Sequence, residues 1–280
     1  MKLNNFFLSK QDFQPPKVTI VTPSYNQGQY LEATIQSAVR QEYPSLEYII
    51  IDGGSTDNSV EIIKKYESFL THWVSEKDNG QSDALNKGFA RATGDIMGWL
   101  NSDDLLAEGA LHYLAQAYQS GLHWWTGGVS RILIDDSFIA YDPQKVKSVS
   151  YQEILHARII VDQVSTFWTR ELWQETGSYI KNLHLAMDYE LWLRFAKITP
   201  STPIHQTLGI FRNHQDAKTG TTDNYRLYLE ECDQVRKTIY DKIGYNPWIK
   251  NLLIAYWTRS ASARRSDWKS WIGRRPMPYV

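Results

Sequence analysis

The spacing of apolar residues changes repeatedly along the first hundred positions of the chain. Short runs of apolar, largely β-branched residues bounded by turn-forming residues predict strands covered on both faces. Between these runs, apolar residues recur every three or four positions, which predicts amphipathic helices. The predicted strands lie at 18–22, 47–52, 72–75 and 96–100. This alternation predicts an α/β fold, in which right-handed crossovers build a mostly parallel central sheet flanked by helices.

The pattern differs beyond the fourth predicted strand. Residues 124–141 have the pattern of β segments, and helical spacing returns at 188–197 and again at 225–240. Because the last part of the chain has a wholly helical pattern, we expect one α/β domain over residues 1–220 and a C-terminal helical extension over 221–280.

The composition excludes several classes of protein. The net charge is −1 at pH 7 and the pI is near 6.7, so the chain has no overall positive field for nucleic acid. Cys232 is the only cysteine, which excludes a disulfide within the chain and is typical of a reducing compartment. The N-terminus lacks the apolar core of a signal peptide, and no segment approaches the roughly 18 apolar residues of a membrane span. We therefore expect a cytoplasmic protein that does not bind nucleic acid.

The last part of the chain carries an excess of positive charge, with tryptophans interspersed. From Trp248 onward, the chain has seven basic residues and a single acidic residue, Asp267. The basic residues are Lys250, Arg259, Arg264, Arg265, Lys269, Arg274 and Arg275. Helices of this composition often lie in a membrane interface. We expect the tail, residues 246–280, to bind an anionic membrane surface. The alternative is a helix packed on the preceding domain with a solvated basic face.

A pair of carboxylates follows the fourth predicted strand, in the sequence Asn101-Ser102-Asp103-Asp104. Open α/β sheets bind ligands at the carboxyl ends of their strands. Carboxylate oxygens suit Mg²⁺ or Mn²⁺, and these cations in turn suit a diphosphate. We expect such a site at this edge of the sheet. For Asp104, capping of a helix that begins near Leu105 is an equal alternative.

Two further loops follow the first two predicted strands and belong to the same edge. In the loop Pro23-Ser24-Tyr25-Asn26, the ring of Tyr25 is placed to border a nucleobase, and an ordinary turn is the alternative. The carboxylate of Asp52 ends the second strand and can accept a hydrogen bond from a pyrimidine N–H or a ribose hydroxyl. The glycines that follow it let a ring approach the backbone. The alternative role of Asp52 is to form the turn.

Residues 18–57 (VTIVTPSYNQGQYLEATIQSAVRQEYPSLEYIIIDGGSTD) and 75–104 (SEKDNGQSDALNKGFARATGDIMGWLNSDD) carry linked motifs in a fixed order. Together they resemble the nucleotide-binding half of a family 2 glycosyltransferase with the GT-A fold. Among these, they are most similar to bacterial enzymes that build O-antigen and other surface polysaccharides. The resemblance implies an inverting enzyme that takes a sugar from a nucleotide diphosphate. It also implies a nucleotide-binding half at about 17–104 and an acceptor half at about 105–220.

The resemblance assigns roles to individual residues. Those assigned to the donor are Pro23, Tyr25, Asp52, Asp83, Asn101, Ser102 and Arg212, and those assigned to the metal are Asp103, Asp104 and His214. For His214, a bond to the phosphate is the alternative. The chain departs from the family pattern at Gly53, where many relatives have a second acidic residue that contacts the base. It also has Asn101 where the metal motif begins with aspartate, so carboxylate ligation falls to Asp103 with Asp104.

Asp188 is the candidate for the chemical step. It stands near the start of an amphipathic helix, and the resemblance makes the acidic residue at this position the base that activates an acceptor hydroxyl. A single base without a covalent nucleophile implies direct displacement and inversion. The alternatives are that Asp188 only caps its helix, or that Glu190, which helical spacing turns away, is the base.

The segment QVSTFW resembles the part of the family that lines the acceptor cleft. The residues assigned to the acceptor are Gln163, Ser165 and Thr166. The alternative is a buried strand that covers Val164 and Phe167.

These features predict a metal-dependent inverting glycosyltransferase, with Mn²⁺ or Mg²⁺ as cofactor, peripheral on the cytoplasmic face of the inner membrane. The donor is expected to be a UDP-sugar, and the acceptor a hydroxyl of a glycan or of a polyprenyl-diphosphate-linked sugar. A non-catalytic nucleotide- or sugar-binding module is the alternative, although binding alone does not need both Asp103 and Asp188. A nicotinamide-dependent dehydrogenase is disfavoured because the first strand–helix loop lacks G-x-G-x-x-G.

Overall fold

The computed structural model describes residues 14–156, 159–215, 217–218 and 222–243, which form a nine-stranded sheet flanked by helices. The strands are β1 (Val18–Ser24), β2 (Leu46–Asp52), β3 (His72–Ser75), β4 (Ile96–Trp99), β5 (Leu105–Leu106), β6 (Trp124–Ile132), β7 (Phe138–Ile139), β8 (Thr166–Thr169) and β9 (Thr202–Arg212). The helices are α1 (Gly28–Val39), α2 (Ser59–Lys65), α3 (Gln81–Phe89), α4 (Ala110–Ala117), α5 (Tyr151–Leu155), α6 (Arg170–Glu175), α7 (Met187–Ile198) and α8 (Thr222–Ile243). Short 3₁₀ turns cover Glu67–Phe69, Pro143–Lys145 and Gln163–Ser165.

The sheet has a parallel half and a mixed half. Its strand order is β3-β2-β1-β4-β8-β6-β9-β5, with β7 beside β6. Strands β3, β2, β1 and β4 run parallel, so the loops that follow them open at one edge. Strand β8 is antiparallel to both β4 and β6, β6 and β9 are parallel, and β5 is antiparallel to β9. Most paired residues lie in parallel pairs, which confirms the predicted α/β fold with a mostly parallel sheet.

Both faces of β1, β2 and β4 are buried, as their continuous apolar runs predict, whereas the edge strand β3 is half-buried. Ile20 and Ile50 belong to the cluster on the face that packs against α1 and α2. Their neighbours Val21 and Ile51 point to the opposite face and pack against α3. Helix α3 can approach the sheet closely because Gly88 has no side chain. A Cβ at this position would lie 2.4 Å from a methyl carbon of Val21.

An aromatic cluster fills the second face, between the sheet and α7. The ring of Trp192 stacks on Trp99 at 5.7 Å and on Trp124 at 5.9 Å between centroids. Trp168 and Phe195 complete the cluster, and all five side chains are buried. The helix that carries Asp188 is therefore anchored by its large apolar side chains.

Helix α8 packs into this same cluster. Cys232, Val235 and Tyr240 are buried with the side chains of α7. The predicted division at residue 220 therefore separates residues that share one core. The basic tail predicted over residues 246–280 lies outside the described residues. Within the described ranges, none of the helices combines the length and the apolar character needed to cross a membrane.

We predict that Gly98→Ala lowers the free energy of unfolding by about 1–3 kcal/mol, the usual cost of overpacking a core. A Cβ at this position in β4 would lie 2.5 Å from a ring carbon of Phe167, which is fully buried. Urea denaturation measures the change. In a protein that already carries Phe167→Leu, Gly98→Ala should lower the free energy of unfolding by less, because the two sites are in contact. An unchanged midpoint for Gly98→Ala alone would contradict the packing described here.

Candidate active site at the carboxyl edge of the sheet

The pairing of β5 with β9 assembles the site. Leu105 lies opposite Ile210 and Leu106 opposite Gly209 in an antiparallel register. In such a pair, residues before one strand meet residues that follow the partner position. The segment that precedes Leu105 is therefore held against the end of β9, although more than a hundred positions separate them.

Asp103 and His214 meet through this register. A hydrogen bond of 3.0 Å joins Nε2 of His214 to Oδ2 of Asp103. The imidazole is buried against the ring of Tyr30, at 4.3 Å between centroids, and its Nδ1 has no hydrogen-bond partner among the described residues. The guanidinium of Arg212 lies 5.1 Å from the centre of the same tyrosine ring. Two of the three predicted metal ligands are thus adjacent, beside a residue predicted to bind phosphate.

Asp104, the third predicted ligand, has a different environment. Its side chain is buried, and the carboxylate accepts the backbone N–H of Arg212 at 3.0 Å and the amide of Asn101 at 3.3 Å. Burial and the negative charge of Asp103 raise its pKa well above the ordinary value. The helix-capping alternative for Asp104 is wrong, because Leu105 begins a strand and the next helix starts at Ala110.

Within the described residues, no group of three His, Cys, Asp or Glu side chains is arranged to hold a metal ion. Asp103 and His214 therefore offer two protein ligands, a carboxylate oxygen and an imidazole nitrogen. This donor set fits Mn²⁺ or Mg²⁺ only if the remaining ligands come from a bound diphosphate and water.

A chain of side-chain hydrogen bonds crosses the site from the donor side to the acceptor side. Lys218 donates to Oε1 of Gln81 at 2.9 Å, and Nε2 of Gln81 donates to Oδ1 of Asn101 at 2.9 Å. The amide of Asn101 also donates to Gln163 at 3.0 Å, and Gln163 donates to the carbonyl of Trp99 at 2.7 Å. The predicted residues Asn101 and Gln163 are therefore in direct contact.

Three other predicted residues are engaged with the backbone. The hydroxyl of Thr34 donates to the backbone carbonyl of Ser102 at 2.9 Å, and the side chain of Ser102 is buried. Ser165 and Thr166 both donate to the carbonyl of Asp162, at 3.3 and 2.8 Å, and both are buried. Their neighbours in the segment are buried too, as the strand alternative predicts, and Gln163 is the one of the three residues predicted for the acceptor that is only half-buried.

Asp52 organises the loop after β2. It is fully buried, and its carboxylate accepts the N–H groups of Gly54 at 3.1 Å and Ser55 at 2.9 Å. The hydroxyls of Ser55 and Ser75 donate to it at 2.5 and 2.7 Å. This is the turn-forming role, and a direct contact with a nucleoside stays a prediction.

The first strand–helix loop presents one exposed aromatic ring. Tyr25 is 60% exposed, whereas Pro23 is buried at the end of β1. Asn26 adopts a left-handed conformation, with φ of 52°, and its side chain accepts the N–H of Thr56 at 2.8 Å. Its own N–H donates to the hydroxyl of Ser55 at 2.8 Å. The two loops are thus bonded to each other at the residue that follows Tyr25.

Asp83 binds its own loop as well. It is half-buried in the first turn of α3, and its carboxylate accepts the N–H of Asn79 at 3.0 Å. Lys87 lies 3.6 Å away, one turn along the helix. The structure gives Asp83 a capping function, and a contact with the ribose or base stays a prediction.

Asp188 lies in the first turn of α7 and is half-buried. Burial raises its pKa to about 6, the negative charge of Asp162 adds to this, and the positive charge of Lys218 opposes it. Glu190 forms an ion pair of 3.0 Å with Arg194, one helical turn away, so the rival carboxylate is neutralised. A carboxylate with a pKa near neutrality is suited to accept a proton from a hydroxyl.

Sequence reasoning missed Gln81 and Lys218. Gln81 follows the Asp-Asn-Gly turn at the start of α3, a position that indicates a helix start but no partner. Lys218 lies beyond β9, where no local pattern places it near Gln81 or Asp188. Burial lowers the pKa of Lys218, and the carboxylates of Glu231 and Asp188 oppose this.

Comparison with known protein families gives a match over the part of this site that lies before residue 169. The family model described as glycosyl transferase family 2 matches residues 19–168. An uncharacterized glycosyltransferase of Mycobacterium tuberculosis is 30% identical over 200 residues, which are 69% of this chain and 74% of the relative. A putative teichuronic acid biosynthesis glycosyltransferase of Bacillus subtilis is 40% identical over 92 residues, 32% of this chain and 36% of the relative.

Solved structures are similar in fold. TarS of S. aureus, in complex with UDP-GlcNAc, has a TM-score of 0.60 at 14% identity and covers 86% of this chain and 71% of its own. The mannosyltransferase PcManGT of Pyrobaculum calidifontis, in complex with GDP-Man and Mn²⁺, has a TM-score of 0.59 at 17% identity. That match covers 95% of this chain and 78% of the mannosyltransferase. These matches confirm the predicted GT-A fold.

We predict that Asp188→Asn stabilises the protein at pH 8 by about 1–3 kcal/mol and has no such effect at pH 4. The folded-state pKa of about 6 lies above the ordinary value of 3.8, so ionisation of this carboxyl opposes folding as the pH rises through that range. Denaturant unfolding at the two pH values measures the difference. Glu190→Gln is the control and should not stabilise, because it removes an ion pair. Equal stability of the native protein and Asp188→Asn at pH 8 would contradict the raised pKa.

Proposed function

The chain belongs to glycosyl transferase family 2, and we propose that it transfers a sugar from a UDP-sugar to a hydroxyl of a glycan or lipid-linked acceptor, with inversion. The observation that carries the proposal is the environment of Asp188. It is a half-buried carboxylate with a pKa raised to about 6, close enough to Lys218 and Asp162 for their charges to act on it. Such a group is deprotonated at neutral pH and can still take up a proton during reaction.

The proposed reaction is a single displacement. The acceptor oxygen forms a bond to the anomeric carbon as the bond between that carbon and the diphosphate oxygen breaks. The hydroxyl proton passes to the carboxylate of Asp188, and the nucleoside diphosphate leaves with the electron pair of the broken bond. One base with no covalent intermediate inverts the anomeric centre.

Asp103 and His214 are proposed to hold a divalent cation. Their ligand atoms are 3.0 Å apart, close enough for both to bind one cation. A bound Mn²⁺ or Mg²⁺ would neutralise negative charge on the departing diphosphate. Arg212, whose guanidinium is held over Tyr30 beside His214, is proposed to contact the same phosphates.

The nucleoside is proposed to bind over the two loops that Asp52 and Asn26 hold together, with its base against the exposed ring of Tyr25. The complexes of TarS with UDP-GlcNAc and of PcManGT with GDP-Man and Mn²⁺ support a nucleotide sugar and a metal. The name of the B. subtilis relative supports surface polysaccharide synthesis as the setting. Attachment to a membrane through residues 246–280 remains part of the proposal.

We predict that a UDP-sugar and Mn²⁺ together raise the melting temperature by about 5 °C or more at saturating concentration, since a ligand that binds only the folded state stabilises it. Thermal shift with UDP-GlcNAc, UDP-glucose, UDP-galactose and GDP-mannose, each with and without Mn²⁺, measures this. Asp103→Asn should lose the metal-dependent part of the shift. Asp135→Asn, in the exposed β6–β7 turn, is the matched control and should retain it. A full metal-dependent shift in Asp103→Asn would overturn the metal assignment.

We predict that Asp188→Asn lowers turnover by about 10²–10⁴, the usual range for a lost general base, with donor affinity changed only a few-fold. Release of nucleoside diphosphate with the donor selected above measures turnover. In the native protein, turnover should rise with pH through about 6, as Asp188 loses its proton. Donor binding by the native protein without turnover on any acceptor would favour the non-catalytic alternative. Loss of donor binding in the variant would place Asp188 in the donor site.

A further inference from the structure

The helix that carries Asp188 begins without a capping side chain of its own. Its N-cap is Ala186, which has no acceptor and makes no side-chain cap. Alanine is among the weakest N-cap residues, because its side chain has no acceptor for the first N–H groups of the helix. Ala186 is fully buried, and in the first turn the N–H of Tyr189 donates to the carboxylate of Asp188 at 2.6 Å.

Glu231, from α8, binds the backbone that leads into this helix. Its carboxylate accepts three backbone N–H groups in a row, those of His184 at 2.9 Å, Leu185 at 2.8 Å and Ala186 at 2.8 Å. These residues form the approach to α7 and end two positions before Asp188. A carboxylate is also favoured there by the positive end of the helix dipole.

The charge state of Glu231 agrees with this role. Burial alone would raise the pKa of its carboxyl, but the three N–H donors outweigh burial and hold the pKa below its ordinary value. Glu231 is therefore an anion over the working pH range. The half-buried Lys218 interacts with both this carboxylate and that of Asp188, so the two acidic groups share one cation.

Helix α8 also holds the residue that follows Asp188. Arg236 donates to the phenol oxygen of Tyr189 at 3.1 Å and is itself buried and paired with Asp233. Helix α8 thus bonds the backbone before Asp188 and the side chain of the residue after it, and this helix lies beyond the residues that the family model matches.

We propose that Glu231 is a positioning residue for the transfer step, because its bonds to the three N–H groups before α7 fix where the carboxylate of Asp188 stands against the acceptor. The inference rests on the proposed role of Asp188 as the base. A small displacement of a reacting group lowers the reaction rate rather than the binding affinity, and a shift of about 1 Å can lower the rate by about 10²-fold. Glu231 acts on the chemical step from outside the reacting atoms.

The test compares Glu231→Gln with Glu230→Gln. The glutamine in the first variant is isosteric but presents an amide that cannot accept three N–H bonds. Glu230 is an exposed neighbour on the same helix and pairs with Arg226, so its variant is the matched control. We expect Glu231→Gln to lower kcat by about 10- to 100-fold, with donor KM and donor affinity within about three-fold of native. The control should keep the native kcat. Hydrogen–deuterium exchange should be faster at the amides of His184, Leu185 and Ala186 in Glu231→Gln only.

Each result is decisive. A native kcat in Glu231→Gln, while Asp188→Asn is inactive, overturns this inference and leaves the proposed function standing. Full activity of Asp188→Asn overturns both. If Glu231→Gln abolishes donor binding, or if the variant unfolds in a single transition that includes the donor site, Glu231 has a structural role only. Either result also overturns the inference. Lowered kcat with retained donor affinity and faster local exchange supports it.

Discussion

The buried carboxylate of Asp104 holds the two halves of the site together. It accepts the N–H of Arg212, at the end of β9, and the amide of Asn101, at the end of β4. Such a group is costly to bury unless its bonds are made, so each bond also restrains the strand that provides it. The adjacency of Asp103 and His214, and the placing of Arg212 over Tyr30, depend on this connection. A residue that resembles a metal ligand in the sequence is the structural link between the residues predicted to bind the donor and those predicted to bind the metal.

The parallel half of the fold was predictable because both of its signals are local. Continuous apolar runs and helical spacing identify strands and helices without knowledge of their partners, and the loop positions of Tyr25, Asp52 and Asp103 follow from the strand ends. The two-residue strand β5 has no such signal, so Asp104 was open to assignment as a helix cap. Ser165 and Thr166 resemble acceptor residues by position, yet both are buried where β8 begins between β4 and β6.

Residues that act through tertiary contacts lay beyond sequence reasoning. Gln81, Lys218 and Glu231 are ordinary polar residues on their own segments, and only the packing of α3, α7 and α8 brings them to the site. One local signal was present in the sequence. Ala186 stands where a capping residue belongs, and a helix that starts without a cap often takes its acceptor from elsewhere in the chain.

The burial of Cys232 gives the molecule an internal reporter. It is the only cysteine in the sequence, it is 2% exposed between α7 and α8, and burial raises the pKa of its thiol far above the ordinary value. A thiol reagent reacts with the thiolate, so in the closed protein this side chain is protected both by access and by ionisation. Its labelling rate therefore measures how often α8 separates from α7. Thiol labelling of the native protein can therefore follow the opening of the helix pair that frames Asp188, because the sequence has no second thiol to react.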